Sequence, residues 1–331
     1  VRRTRRSPAR KADQDGADMG ALPYVSDQTT ALHGKIFANL TIPAGTHSVP
    51  GDLIVAKGVK LTISPGATLN FATNDDMQGG SNTGQTELVV ESTGTLSAVG
   101  TDTSGITLKA ASGGWYGIRL LSGSSASFDY VTLRDGHYGI WSYGSFTFKN
   151  GLVRDTTYAG IRASGSSGVA TIANNQLLSN DRYAMMLQGG NMDVHHNELR
   201  GNCQAVNAEA VYISSGTVGF DHNTVAHNAS CTYGVRISSA SSSYKLTNNI
   251  VASNGTYGVY NGSGTQSIQN NLIWGHSTNY YRVSSSAMVV YNPLFVSTTN
   301  FRLTHRSPAR KADQNGADMG ALPYVSDQTT A

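Results

Sequence analysis

The sequence predicts an all-β chain wound as a single-stranded, right-handed parallel β-helix, and three observations carry that expectation. Strand-like segments recur every 20 to 26 residues, an asparagine returns at one register of five successive repeats, and an aliphatic residue returns just after it. A repeat of that length is too short for a propeller blade and too strand-like for paired helices.

The repeats align in two registers. One is the series Tyr116 to Leu120, Tyr138 to Ser142, Ala159 to Ala163, Tyr183 to Leu187, Tyr233 to Ile237 and Tyr257 to Asn261, of the type Tyr-Gly-Ile. The other comprises segments such as IANNQLLSN, VHHNELRGN, FDHNTVAHN and LTNNIVASN. Apolar and polar residues alternate within each, the period of a strand with one face inward. Stacking the coils piles Leu133, Val153, Leu177, Leu199, Val225, Val251 and Ile273 into one column. Asn175, Asn197, Asn223, Asn249 and Asn271 form a second column beside it. Stacked amides donate and accept along the axis, so such a ladder satisfies itself where a lone buried amide would not. A structural role is therefore expected for all five.

Three regions divide the chain on this reading. Residues 1–31 are the end of a preceding module, 32–296 the coil stack and 297–331 a closing cap that repeats the start. Residues 6–31 and 306–331 match at 25 of 26 positions, differing only at Asp15 against Asn315. Tandem duplication with a 300-residue offset explains a match that close, and an artefact of the chain's boundaries is the alternative. Looser coils are expected over residues 40 to 110, with Pro65-Gly66 as a turn between strands. The stretch Asp75 to Gln85 breaks the pattern and is expected to project as a loop.

Composition agrees with an ordered, polar-surfaced solenoid. Charged residues make up only 14%, against about 25% in ordinary globular chains. Residues 32 to 305 hold 15 Lys and Arg against 14 Asp and Glu, so the body is nearly neutral. The basic excess clusters at Arg2, Arg3, Arg5, Arg6, Arg10 and Lys11, a run with no interleaved aromatics, and no nucleic-acid partner is expected. No apolar run is long enough to cross a bilayer, so no membrane insertion is expected in this segment. Cys203 and Cys231 fall in the same loop of adjacent coils, which predicts a disulfide and an oxidising compartment; two unrelated buried thiols are the bland alternative.

The segments GVKLTISPGATLNF, GGWYGIRL, the Asn-Asn coils and NPLFVSTTNFRLTHRSPARKADQNGADMGALPY resemble bacterial right-handed β-helix proteins of the pectin-lyase-like superfamily over nearly the whole chain. Arg310 and Lys311 depart from that pattern, standing where an apolar and an acidic residue are usual. The resemblance implies lyases, hydrolases or epimerases of uronic-acid polymers as one possibility. Neither the acidic ligand cluster with its paired Arg nor the paired aspartates with Gly-His-Gly are found; Asp135-Gly136-His137 is a faint echo.

Two surface columns remain as candidate chemistry. Asp129, Lys149, His195 and Asp221 share one register, and His195 with Asp221 on adjacent coils is the expected hydrogen-bonded pair if there is catalysis; a solvated ladder of mixed charges is the bland reading. Arg119, Trp141, Arg162, Arg236 and Tyr260, with Met186 among them, are expected to point outward and to suit sugar rings and their carboxylates or sulfates. Long side chains covering a solvated sheet are the alternative there. Asp13, Asp15 and Asp18 have a passing likeness to a Ca²⁺ loop, yet Tyr24 stands where the bidentate Glu belongs. An Asp/Gly turn is expected, and no cofactor, Ca²⁺ being the one ion the pattern leaves open. The chain therefore reads as a secreted structural or adhesive module of a bacterial surface protein or fibre, contacting carbohydrate and joined head to tail to copies of itself. A polysaccharide lyase, hydrolase or epimerase is the alternative.

Overall fold

The computed structural model describes Lys11 and residues 32–165, 168–205, 208–238, 243–262, 267–283 and 288–326. The first copy of the repeated segment, with Asp13, Asp15 and Asp18, lies outside them apart from Lys11. Every regular element among the described residues is a strand, and every pairing between strands is parallel. No helix among these residues is long and apolar enough to cross a membrane.

Three parallel ladders run the length of a right-handed β-helix. The first stacks strands such as Gly117–Leu120, Tyr138–Ser142 and Ala159–Ser164. The second stacks Ser125–Asp129, Ser145–Lys149 and Val169–Ala173, and the third Val131–Arg134, Leu152–Arg154 and Gln176–Leu178. Inward residues match coil after coil: Ile118, Ile140, Ile161 and Met185 in the first ladder; Phe128, Phe148, Ile172 and Val194 in the second. The aliphatic column from Leu133 to Ile273 is the third ladder, in the register the sequence predicts, and every member is buried. The glycine of the Tyr-Gly-Ile segments has a steric cause. A Cβ on Gly139 would lie 2.5 Å from the Gly160 carbonyl and 2.6 Å from Val153, because the third ladder presses against the backbone of the first.

Two tight corners per coil each need one residue with positive φ. Between ladders two and three these are Asn174, His196, His222, Asn248 and Asn270, all near +50° to +60°. After each comes a rung of the asparagine ladder. Asn175 donates from its backbone N and its Nδ2 to Asn197 Oδ1, and the relation repeats from Asn197 to Asn223, Asn223 to Asn249 and Asn249 to Asn271 at 2.8–3.2 Å.

A second amide ladder, which the sequence reading overlooks, lines the corner after the third ladder. Asn180, Asn202, Asn228 and Asn254 link in the same manner. The recurrence of Asn five residues after each rung of the first ladder, as in NELRGN and NTVAHN, was the available signal. The column ends on His276, whose Nε2 faces Asn254 Nδ2 at 3.1 Å while Nδ1 faces Asn279 Oδ1 at 3.2 Å. Burial pushes this imidazole down to about 4, so it is neutral and accepts the amide proton.

Cys203 and Cys231 are bridged across adjacent coils, with Cα atoms 5.0 Å apart. The stretch Asp75 to Gln85 is a loop clamped to the stack rather than projecting freely. The amides of Met77 and Gly79 donate to Asp75, and those of Ser81 and Asn82 donate to Glu87. Asp52 below it accepts from Glu87 N at 2.7 Å and, through burial, is pushed up to about 7.

The terminal segment buries an apolar side against the coils. It runs back along the outer flank of the third ladder, where Phe301, Leu303, Ala309 and Met319 pack on Ala226, Ile250, Ala252 and Leu272. Gly320 N donates to Asn248 O at 2.8 Å and Ala321 N to Thr224 Oγ1 at 2.9 Å. The departures at Arg310 and Lys311 are accommodated: Arg310 lies over the Tyr324 ring at 3.9 Å, and Lys311 N donates to Asp318.

Candidate functional site

The outward residues of the first ladder form one continuous column: Arg119, Trp141, Arg162, Met186, then Tyr212, Arg236, Tyr260 and Tyr281. Strand alternation places them opposite the Ile and Val core positions, so all of them leave the core. Tyr212 and Tyr281 belong to the column and were missed, because neither sits in a Tyr-Gly-Ile segment that marks the register. A row of tyrosines flanks it, with Tyr233 stacked on Tyr257 at 5.2 Å.

Leaving the core is not the same as reaching solvent, and two expectations are corrected here. Arg119 is only 7% exposed, because its guanidinium lies 3.5 Å from the centre of the Trp141 ring. Met186 is 5% exposed, packed among Tyr138, Ala159 and the tyrosines around them. Large side chains one coil apart are only about 4.8 Å from each other, so each roofs over its neighbour.

Arg162 reaches the Trp141 ring from the next coil at 4.6 Å, so one indole sits against two guanidiniums. Its Nε donates to Gln188 Oε1 at 3.0 Å, which fixes the fork at the surface. Arg236 is paired with Glu209 at 2.7 Å beside Tyr233. Tyr260 and Tyr281 stack at 4.8 Å with planes 9° apart. The buried Arg119 Nε and Nη1 and Trp141 Nε1 have no acceptor. The result is a strip of aromatic faces and cations carrying a surplus of donors.

The second candidate column has the register expected of it, with Asp129 beside Lys149 and His195 beside Asp221. The expected His195–Asp221 hydrogen bond is absent. Asp221 instead accepts from His222 Nδ1 at 2.6 Å, Thr247 Oγ1 at 2.5 Å and Asn248 Nδ2 at 3.0 Å. His195 turns to His196, with Nδ1 atoms 3.0 Å apart. Asp129 accepts from Asn150, and Lys149 is exposed. The reason is the corner: the left-handed φ at His222 swings its ring back beside Asp221 on the same coil.

His222 also sets Nε2 3.5 Å from Asp313 of the terminal segment. Its hydrogen bond to Asp221 and the two nearby carboxylates raise its pKa, and the same contact lowers that of Asp221 against the opposing effect of burial. With both ring nitrogens facing carboxylates, this histidine is an ion-pair bridge between coil and terminal segment rather than a free base. No group of three or more His, Cys, Asp or Glu among the described residues is arranged to hold a metal.

Residues 97–250 match the family model described as a right handed beta helix region. No curated protein matches the chain. Among solved structures, the chain is similar to two variants of the periplasmic alginate epimerase AlgG. Identity is 12% and 13%, 77% of this chain and 76% of theirs are covered, and the TM-score is 0.45 for each. It is also similar to the A-module of the mannuronan C-5 epimerase AlgE6 of Azotobacter vinelandii, at 14% identity over 78% of this chain and 90% of that one, with a TM-score of 0.27. Likeness at these levels concerns the fold alone.

Proposed function

We propose that this right-handed β-helix is a secreted module of a bacterial surface protein or fibre that binds an acidic polysaccharide along the outer face of its first ladder. The observation that carries the reading is the fixed guanidinium fork of Arg162 on the Trp141 ring, continued by Tyr212, Arg236, Tyr260 and Tyr281. Aromatic faces stack on sugar rings, and planar forks bind carboxylate or sulfate in two-pronged fashion. The bridge between Cys203 and Cys231 supports an oxidising, extracellular setting.

Titration of the protein with oligomers of alginate, pectin and a glycosaminoglycan, with dextran as the neutral control, tests the proposal. Binding of at least one acidic series and not of dextran is expected, weakened about tenfold or more by Arg162→Ala, which corresponds to about 1.4 kcal/mol. Equal behaviour of all four polymers, or an unchanged affinity in the variant, overturns it. The alternative of lyase, hydrolase or epimerase chemistry at His195 and Asp221 draws less support, since the Asp221 carboxylate is already engaged by three donors. Polymer cleavage or epimerisation that disappears in His195→Ala would revive it.

A further inference from the structure

Three buried carboxylates hold the loop from Asp75 to Gln85 against the stack. Asp52, just before the strand Leu53–Val55, and Glu87, the first residue of Glu87–Val90, are closed off from solvent, and Asp75 is nearly so. Asp76 stands at the rim, where it pairs with His33 at 3.1 Å. Arg119 acts on Glu87 through space while its guanidinium stays against the Trp141 ring.

The six oxygens of Asp52, Asp75 and Glu87 are not equivalent. Asp75 Oδ1 accepts from the amides of Asp52 and Met77, and its Oδ2 from that of Gly79. Glu87 Oε2 and Oε1 accept from Ser81 N and Asn82 N, and Asp52 Oδ1 accepts from Glu87 N. Asp52 Oδ2 is the exception, buried with no donor facing it. The backbone of Gly79 and Gly80 closes over this oxygen: a Cβ on Gly79 would lie 3.2 Å from it, and one on Gly80 would strike both it and Glu87 Oε2. Five oxygens meet N–H groups, as those of an ionised carboxylate do. The sixth is where a proton belongs, because a protonated carboxyl oxygen donates instead of accepting, and Glu87 Oε2 lies on the same side.

We propose that Asp52 and Glu87 share one proton as a latch, and that its loss releases the loop from Asp75 to Gln85. Without the proton, two like charges are sealed beneath Gly79 and Gly80 with Asp75 as a third, and opening the loop to water relieves them. Burial lifts Asp52 from its ordinary 3.8 to about 7 against the hydrogen bond from Glu87 N, and the charges of Asp75, Glu87 and Asp76 add to the rise. The closed loop therefore binds the proton more tightly than the open one. Closure is strongest in acid, weakens as pH climbs from about 4 to about 7 and levels off above that. The released segment leads directly into Glu87–Val90, which pairs with Gly117–Leu120, the strand that carries Arg119. The latch thus sets the freedom of the chain beside the first residue of the aromatic and cationic face, whatever that face binds.

Hydrogen exchange of the wild-type chain across this range tests the proposal. Protection factors at Gly79, Ser81 and Asn82, taken relative to intrinsic exchange, should fall as pH rises from about 4 to about 7 and then stay level. The fall is bounded at about a thousandfold, tenfold for each pH unit. Asp52→Asn keeps an acceptor for Glu87 N and gives Glu87 Oε2 a permanent donor, so its loop amides should stay protected throughout. Amides at Leu199 and Val225, in distant coils, report that the variant is folded. Infrared spectra of ¹³C-aspartate protein, at a pH between the ordinary and the raised value, should show a protonated carboxyl band that Asp52→Asn removes. Level protection in the wild type overturns the proposal whether or not the variant folds, and so does an equal fall in a folded Asp52→Asn. Protection restored above pH 7 by added Ca²⁺ also overturns it, since a cation would then do what is assigned here to the proton. None of these readouts involves carbohydrate, so this result and the glycan titration fail independently.

Discussion

At the scale of single residues, two histidines at corners of the coil respond to acid in opposite directions. His276 must be neutral to accept the Asn254 amide proton, and its pKa is depressed to about 4. The unfolded chain takes up that proton more readily, so stability is expected to fall as pH drops from about 6.5 towards 4. Denaturant midpoints across that window should show the slope, and His276→Asn, which keeps an acceptor, should flatten it. His222 is the reverse case: its pKa is raised by Asp221 and Asp313, so its contribution is complete below about pH 6.5 and is lost as pH rises through the elevated value. The neighbouring His196, whose pKa is lowered chiefly by burial, faces the same ring but adds no compensating anion. The protection factors of residues 309–324, taken relative to the base-catalysed intrinsic exchange rate, should therefore fall as pH rises through that elevated value in the wild type and stay level in His222→Gln.

At the scale of elements, the asparagine ladder is the part that tolerates least. Asn223→Ala removes the acceptor of the Asn197 backbone N and leaves that buried amide without a partner, while Asn197 Nδ2 loses one acceptor and keeps Ile172 O and His195 O. A loss of about 1–3 kcal/mol is expected in chemical denaturation, the cost of one orphaned buried donor. The bridge between Cys203 and Cys231 closes a loop with a sequence separation of 28. Its removal by Cys203→Ala with Cys231→Ala should cost about 3–4 kcal/mol on the chain-entropy relation. A midpoint unchanged in the double variant would count against that contribution.

The molecule as a whole is a rod, and its length shapes what the first ladder can do. The eight strands from Gly117–Leu120 to Thr278–Tyr281, spaced by about 4.8 Å, give a face about 34 Å long. Affinity for an acidic oligosaccharide should therefore climb with chain length until the ligand spans that face, then level off. Because the fork contacts are ionic, binding should also weaken as salt rises. An affinity independent of oligomer length would point to a single pocket and against the extended face.

The periodicity of Ile, Val, Leu and Asn was enough to foresee the coils, the registers of both candidate surface columns and the pairing of the two cysteines. In a parallel stack those features depend only on spacing along the chain. The second amide ladder was equally legible, but it was hidden behind variation in the residues before it. What spacing could not decide is where a side chain goes once it has left the core. Arg119 disappears under Trp141, Asp221 chooses His222 over His195, and the terminal segment packs on the flank of the third ladder. Each outcome depends on rotamers and corner dihedrals that place neighbours from different coils within contact of one another, and competition among such neighbours is settled only in three dimensions.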